Sequence, residues 1–543
     1  LDDLTTGVGN IAIGRYALAD VTTNGGNTAV GGYDGSAQPA GRFITGSTNT
    51  AIGAGSLAGN NNSASYNSAV GYKALGTNTT GQLNNALGWQ ALFSNTTGDQ
   101  NTALGHQALY ANTTADNNTA VGYDSLEDNT TGHSNVAVGA LAKKENTTGT
   151  NNTAVGANAM RDATTGNDGV AVGSFAMGDG TWTGNTCVAI GNSALSKATS
   201  AYQDVAVGTY ALQNVTTSNN TTAIGHSALK LLTSGSSNTA IGFGVLRSVT
   251  TSSANTVIGH DSGRLITGSD NTGVGCDVMY DLTTGQRNVA IGSGGVGSIS
   301  GALANGTTAS NNVAIGYRTL RQLVTEGSNT VIGYEAGRDI TGSQNCCFGQ
   351  ASGSNITSGV QNLLAGNNSG TYITQLTTGD FNVLLGPYTR TSAAGVDQEI
   401  VMGYLVAGMG TRTFKVASDS GVFHGGNTTT WSTTSDERIK KNIVDNNSGL
   451  DLLNSIQVRN FEYKKEDEIL TDNSELKDVI SSAVIDKEGL QLGVIAQELE
   501  KVLPECVETQ STGIKTVNSD NLTWYLVNAV KELSAKVTAL EAA

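Results

Sequence analysis

The sequence predicts a mainly β protein: a repetitive parallel β-roll or β-helix fibre over residues 1–403, a β-rich neck over 404–434, and a small α+β domain over 435–543 ending in a coiled-coil helix. Three observations predict it. A short motif, Asn118-Thr119-Ala120-Val121-Gly122 in its clearest copy, recurs from Asn10 to Gly403. Its closing glycine returns about every 17 residues, at Gly71, Gly88, Gly105, Gly122, Gly139, Gly156 and Gly173, and again from Gly191 to Gly259. Charge then changes abruptly: 12 Lys/Arg and 20 Asp/Glu fall in residues 435–543, against 17 and 25 in the preceding 434 residues. So regular a step marks a solenoid, in which each unit buries its apolar face on its neighbours.

Within a unit the pattern reads as short strand, turn, short strand, turn. Ala120 and Val121 precede Gly122, and four residues after the glycine stands a second apolar anchor: Leu126 here, and Leu75, Leu92, Leu109, Met160, Met177, Leu195, Leu212, Leu229 and Leu246 elsewhere. Polar turns such as Asn78-Thr79-Thr80-Gly81 and Asn129-Thr130-Thr131-Gly132 separate the units, with Asn and Gly expected to supply left-handed backbone at the corners. A glycine in mid-strand costs roughly 0.5–1 kcal/mol relative to alanine, so its return in nearly every unit points to a corner or a close approach where only bare backbone fits.

Composition agrees. Among 543 residues there are 71 glycines, three prolines and 5% aromatics, which suits stacked strands over a core of small side chains. The net charge of −16, with no basic stretch to offset it, argues against binding nucleic acid phosphates or an anionic membrane. No apolar run reaches membrane-spanning length. Leu1 opens directly on repeat-like sequence, as in a fragment or processed chain. Cys187, Cys276, Cys346, Cys347 and Cys506 lack paired or metal-ligand spacing and read as small apolar residues, so no metal or cofactor is expected. His106, His133, His226, His260 and His424 have no local partner in sequence and read as surface or packed side chains.

Three insertions interrupt the cadence, at Tyr33–Thr45 with Pro39, between Gly292 and Gly316, and between Gly366 and Gly386. Insertions in a solenoid map to its outer surface, which makes these candidates for receptor contact. After Gly403 the neck reads as strand, turn and strand over Thr413–Ala417 and Gly421–His424. The segment from Ser435 to Ile443, following the Thr-rich linker, reads by itself as a helix start with Ser435 as N-cap. In the last helix Leu526, Val530, Leu533, Val537 and Leu540 alternate steps of four and three, the seam of a coiled coil.

The repeat resembles the head repeats of trimeric autotransporter adhesins and the shaft repeats of some phage tail fibres. The Ser-Asp-x-Arg-x-Lys order at Ser435, Asp436, Arg438 and Lys440, the Phe461-Glu462-Tyr463 strand, the Gly493–Leu499 segment, Pro504-Glu505 and the terminal helix resemble the intramolecular chaperone domain of endosialidases and phage tail fibres. That resemblance, read over about residues 435–543, implies a homotrimer whose C-terminal chaperone guides assembly and then cuts itself off with a Ser-Lys dyad. Ser435 would be the nucleophile and Lys440 the base, with Asp436 and Arg438 in orientation only and Thr434-Ser435 as the bond cleaved. Five residues apart, Ser435 and Lys440 do not share a helix face, so Ser435 must lie on a bend or precede the helix. Val at one seam position and Leu at the other would favour two strands; the resemblances favour three.

The leading expectation is a trimeric, phage-type tail fibre on the virion surface. Its partners would be a host cell-surface receptor or glycan and a virion attachment protein on the N-terminal side. A cellular adhesin would instead carry a C-terminal membrane β-barrel. A glycan depolymerase would need paired carboxylates in a groove, and the repeats are poor in acids.

Overall fold

The computed structural model describes residues 5–33, 35, 37–60, 62–294, 301–417, 440–465, 468–469, 485, 487–509 and 513–542. The chain divides into two compact units, Leu1–Ser328 and Asn329–Ala543.

In the first unit each turn of chain contributes one strand of three to five residues, from Ile11–Ile13 to Val313–Ile315, and successive strands pair in parallel. The register is the repeat itself: Thr119, Ala120 and Val121 pair with Val136, Ala137 and Val138. Alternation along the strand turns the central alanine inward, so Ala103, Ala120, Ala137 and Ala154 are fully buried. The apolar anchors, Leu92, Leu109, Leu126, Met160 and Met177 among them, fill the rest of the interior. The result is a parallel β-solenoid.

The expected second strand does not form. The stretch from the glycine to the anchor is a turn whose residues two and four places after the glycine have left-handed backbone: Gln107 and Leu109 at φ 51° and 55°, Asp124 and Leu126 at 50° and 51°. The left-handed residue near the polar turn is also not its Asn or Gly but the residue before the motif, as at Asn117, φ 61°. Gly132 is glycine for a different reason. A Cβ there would lie 2.3 Å from the Gly149 carbonyl oxygen and 2.6 Å from Asn129 Oδ1.

The closing glycines fulfil the expectation of a close approach. Gly105 has φ +147°, and a Cβ on it would lie 2.1 Å from the carbonyl oxygen of Gly122 in the next turn.

Buried asparagines supply a second set of turn-to-turn ties. Asn118 N–H donates to Asn101 Oδ1 at 3.0 Å, Asn135 N–H to Asn118 Oδ1 at 3.0 Å, and Asn118 Nδ2 to the Gly132 carbonyl at 2.9 Å. A parallel ladder climbs the polar turns: Asn95, Asn112, Asn129 and Asn146 each donate Nδ2 to Oδ1 of the asparagine one turn earlier, at 2.6–2.9 Å. Burying an amide costs free energy unless it is hydrogen-bonded, and stacking identical turns provides the partner automatically. Histidines also find partners across turns: His106 stacks between Trp89 and Tyr123, with centroids at 4.7 and 5.1 Å, and its Nδ1 lies 3.2 Å from Asp124. His424 lies outside the described residues.

The insertions are not wholly external. Ala37, Ala40 and Ile44 of the first are buried, as are Ala302 and Leu303 of the second. These restore the core contacts that the longer turn would otherwise lose.

The second unit continues the same construction over six strands, from Thr330–Ile332 to Phe414–Ala417. Its insertion buries Leu376 and leaves Ile373 exposed. All five cysteines are free; Cys187, Cys347 and Cys506 are buried, Cys276 and Cys346 half-buried.

Candidate assembly and self-processing region

The C-terminal part of the second unit is small and mixed. Strand Arg459–Phe461 pairs antiparallel with Gln491–Gly493, strand Val507–Thr509 with Lys515–Val517, and the described residues include the helices α1 (Leu450–Asn454), α2 (Ala496–Leu499) and α3 (Ser519–Glu541). Pro504 opens a short 3-10 turn after α2, a position where its missing N–H costs nothing.

Leu499, Leu503 and Cys506 form the core, with Leu452, Ile456, Val494, Leu522 and Tyr525 packed around it. Arg459 holds Glu498 through two bonds, Nε to Oε2 at 3.1 Å and NH2 to Oε1 at 2.9 Å, which fixes the first sheet to α2. Tyr525 donates its hydroxyl to Glu505, and the bond holds the Glu505 carboxyl below its usual range.

The segment before α1 is fastened to α3. Asn528 Nδ2 donates to the carbonyls of Asn446 at 2.7 Å and Ser448 at 3.3 Å, and Leu450 N–H donates to Glu532 Oε2 at 3.1 Å. Gly449 lies so close to α3 that a Cβ would fall 2.3 Å from Ala529 N. Sequence reasoning missed this clamp. The Asn446–Gly449 cluster carries the composition of a turn, but nothing local names the helix it meets.

Ser435, Asp436, Arg438 and the Thr434-Ser435 bond lie outside the described residues. Lys440 is described, and it is exposed on a non-helical stretch that runs to Gly449. A helix beginning at Ser435 therefore does not extend through this stretch; among the described residues the first helix starts at Leu450.

The seam residues fall on α3 as spaced. Its core-facing side carries Leu522, Tyr525 and buried Ala529, while on the adjoining face Leu526, Val530, Leu533, Val537 and Leu540 stand between 44% and 77% exposed. Five apolar side chains in one row are left uncovered by the single chain. Among the described residues no helix is long and apolar enough to cross a membrane.

A β-solenoid followed by a clamped α+β unit with an uncovered helical seam is the setting in which the family comparison gains meaning. Residues 435–508 match the family described as chaperone of endosialidase. The match opens at Ser435 and closes inside the Val507–Thr509 strand, so the resemblance read over residues 435–543 is matched over its first part and α3 lies beyond it. Within the chaperone segment lie α1, the first sheet, α2 and the core. No curated protein gives a significant match to the chain.

Proposed function

We propose that the protein is a homotrimeric, phage-type tail fibre whose solenoid attaches to a host surface, and whose C-terminal chaperone aligns three chains and then releases itself at Ser435. The observation that carries this reading is the chaperone segment placed after a solenoid whose strands keep an apolar row outside. The third strand residue is exposed at Ile52, Leu87, Leu104, Val172, Ile190, Ile224, Ile258 and Ile291 in the first unit. Soluble monomers rarely leave so long an apolar row uncovered. Association with further copies removes it from water at about 25 cal/mol per Å² of apolar surface.

Repeats this alike can pair in many neighbouring registers, so a device that fixes the starting register supports correct assembly. The α3 seam serves that role as a short coiled coil. Replacing Val530 and Leu533 together by Asp is expected to weaken self-association at least tenfold. Sedimentation at low micromolar concentration checks this, and an unchanged trimer would remove α3 from the assembly interface.

For release, Ser435 Oγ attacks the Thr434 carbonyl carbon while Lys440 accepts the hydroxyl proton. The C–N bond breaks, leaving the Thr434 acyl group as an ester on Ser435 and freeing the Ser435 amine. Water then opens the ester to a Thr434 carboxylate. A lysine acts as a base only where burial removes its proton. Lys440 is exposed in the single chain, so on this reading assembly must come first.

Intact-mass spectrometry tests the step. The wild-type chain should yield two fragments whose masses sum to the chain plus one water, and Ser435→Ala and Lys440→Ala should stay whole. The Val530/Leu533 double variant should also stay whole. Full-length wild-type trimer would exclude self-cleavage and leave the assembly role standing.

A further inference from the structure

In several turns the residue five places after the closing glycine is partly or fully exposed, and cations occupy this column at Lys144, Arg161, Lys230, Arg247 and Arg264. In the earlier turns they are neutralised: Lys144 pairs with Glu127 at 3.2 Å, and Arg161 with Asp162 and, at 3.8 Å, with Asp179. Lys230, Arg247 and Arg264 occupy the same column on three consecutive turns. Their stacking is recorded in the backbone, where Leu231 N–H donates to the Arg247 carbonyl at 3.2 Å and Ser248 N–H to the Arg264 carbonyl at 3.0 Å. None of the three forms an ion pair among the described residues. The sequence contains no acidic residue between Asp204 and Asp261. Asp204 is buried, where its carboxyl accepts from Ser218 and Thr221, and Asp261 lies against His260, 3.5 Å from its Nδ1.

Three like charges spaced at about one strand separation of 4.8 Å repel one another. In a chain of net charge −16 these three cations make a local stretch of positive charge. Beside the column runs an exposed aromatic stack, His226, Phe243 and His260, with centroids 5.3 and 5.1 Å apart. Tyr210 joins the two: its ring lies 4.6 Å from Lys230 Nζ and meets His226 edge-on at 5.8 Å. Charge and aromatic surface therefore repeat together at the solenoid's own period. The surrounding turn residues are hydroxyl and amide bearing, such as Asn214, Ser248 and Thr250.

We propose that the Lys230–Arg247–Arg264 column and the adjoining aromatic stack bind an extended acidic polysaccharide, its carboxylate or sulfate groups following the cations and its sugar faces lying on the aromatic edges. This rests on the reading of the solenoid as an attachment surface and names the class of ligand. A polymer that carries acid groups and many hydroxyls suits three cations set among neutral polar residues. Single-stranded nucleic acid, which offers phosphates but few hydroxyls to those residues, is the competing occupant that the test separates.

The test uses the full chain in affinity electrophoresis through gels containing polygalacturonate or dextran sulfate, with neutral dextran and an oligothymidylate as comparisons. Retardation by at least one acidic polysaccharide, weakening as salt rises, is expected. Arg247→Gln should lower that affinity about tenfold, the loss of one charge-assisted contact, and Lys230→Gln with Arg264→Gln should abolish it. Arg161→Gln, a paired cation on the same column, should change nothing. Equal retardation by neutral dextran, stronger retention of the oligothymidylate, or column variants that bind like wild type would each overturn the proposal. Sedimentation and intact mass are measured on the same preparations. A correctly trimeric and processed chain that retains no acidic polysaccharide sinks this inference alone, whereas a monomeric chain sinks the fibre reading.

Discussion

Gly105→Ala is expected to destabilise the solenoid by about 4 kcal/mol, the sum of a strained backbone and an overpacked contact. The added Cβ would lie 2.1 Å from the Gly122 carbonyl oxygen and 2.6 Å from its carbon, both backbone atoms held by the parallel ladder, and the residue sits at φ +147°. No rotamer change relieves this, because a methyl group has none. The two turns must separate, and in a nearest-neighbour stack the break is local before it is global. Amide hydrogen exchange should accelerate first in Thr102–Leu104 and Thr119–Val121, and the melting temperature should fall. Thr114→Ala, at an exposed turn position, is the comparison and should stay within about 0.5 kcal/mol. Wild-type exchange in both strands of Gly105→Ala would show that the carbonyls are not fixed where they stand.

Lys143→Met should do the opposite and stabilise. Lys143 occupies the interior column of apolar anchors, in line with Leu126 one turn before and Met160 one turn after, and is fully buried with no hydrogen-bond partner for Nζ. Burial pulls its pKa from 10.5 down to about 7. The sign follows from where the proton binds. Between pH 7 and 10.5 the unfolded chain holds it and the folded chain does not, so stability rises with pH across that window. Below pH 7 the amine is charged in both states and the burial penalty is fully present; above 10.5 it is absent. The penalty is on the order of 5 kcal/mol at its largest, from 1.36 kcal/mol for each pH unit of the gap. Methionine fills the same space without a charge. The variant should therefore exceed wild type most at pH 6, with the gap closing towards pH 10 in denaturant titrations. Parallel stability curves for the two proteins across this range would show that the ammonium reaches water in the native state.

The solenoid was legible in the sequence because its core is periodic: the Ala120 and Leu126 positions repeat at a fixed step, and both are buried. Lys143 also stood in that frame, four residues after Gly139, and reading the column through would have exposed it as a cation in an apolar slot. Other features had no such signal. Leucine disfavours left-handed backbone, so nothing about Leu109 or Leu126 announces φ values near 50°; neighbouring turns impose them. The buried role of Asn118 is equally hidden, since an asparagine beside a turn looks like turn chemistry until the next copy is stacked on it.

At the C-terminal end, periodicity named the exposed apolar row of α3, because spacing within one helix is a local property. The grip of Asn528 on Asn446 and Ser448 joins positions some eighty residues apart and could be read only from the fold. Single-copy contacts leave no echo in a sequence.

The asparagine ladders also decide how this molecule can change in length. Excision of residues 102–118 would hand Asn101 the partner that Asn118 now has, Asn135, and would leave each rung with an equivalent neighbour. Removing one or two residues instead would slide every amide past its mate. Lengthening or shortening by whole coils therefore keeps every rung paired, and any other step breaks them.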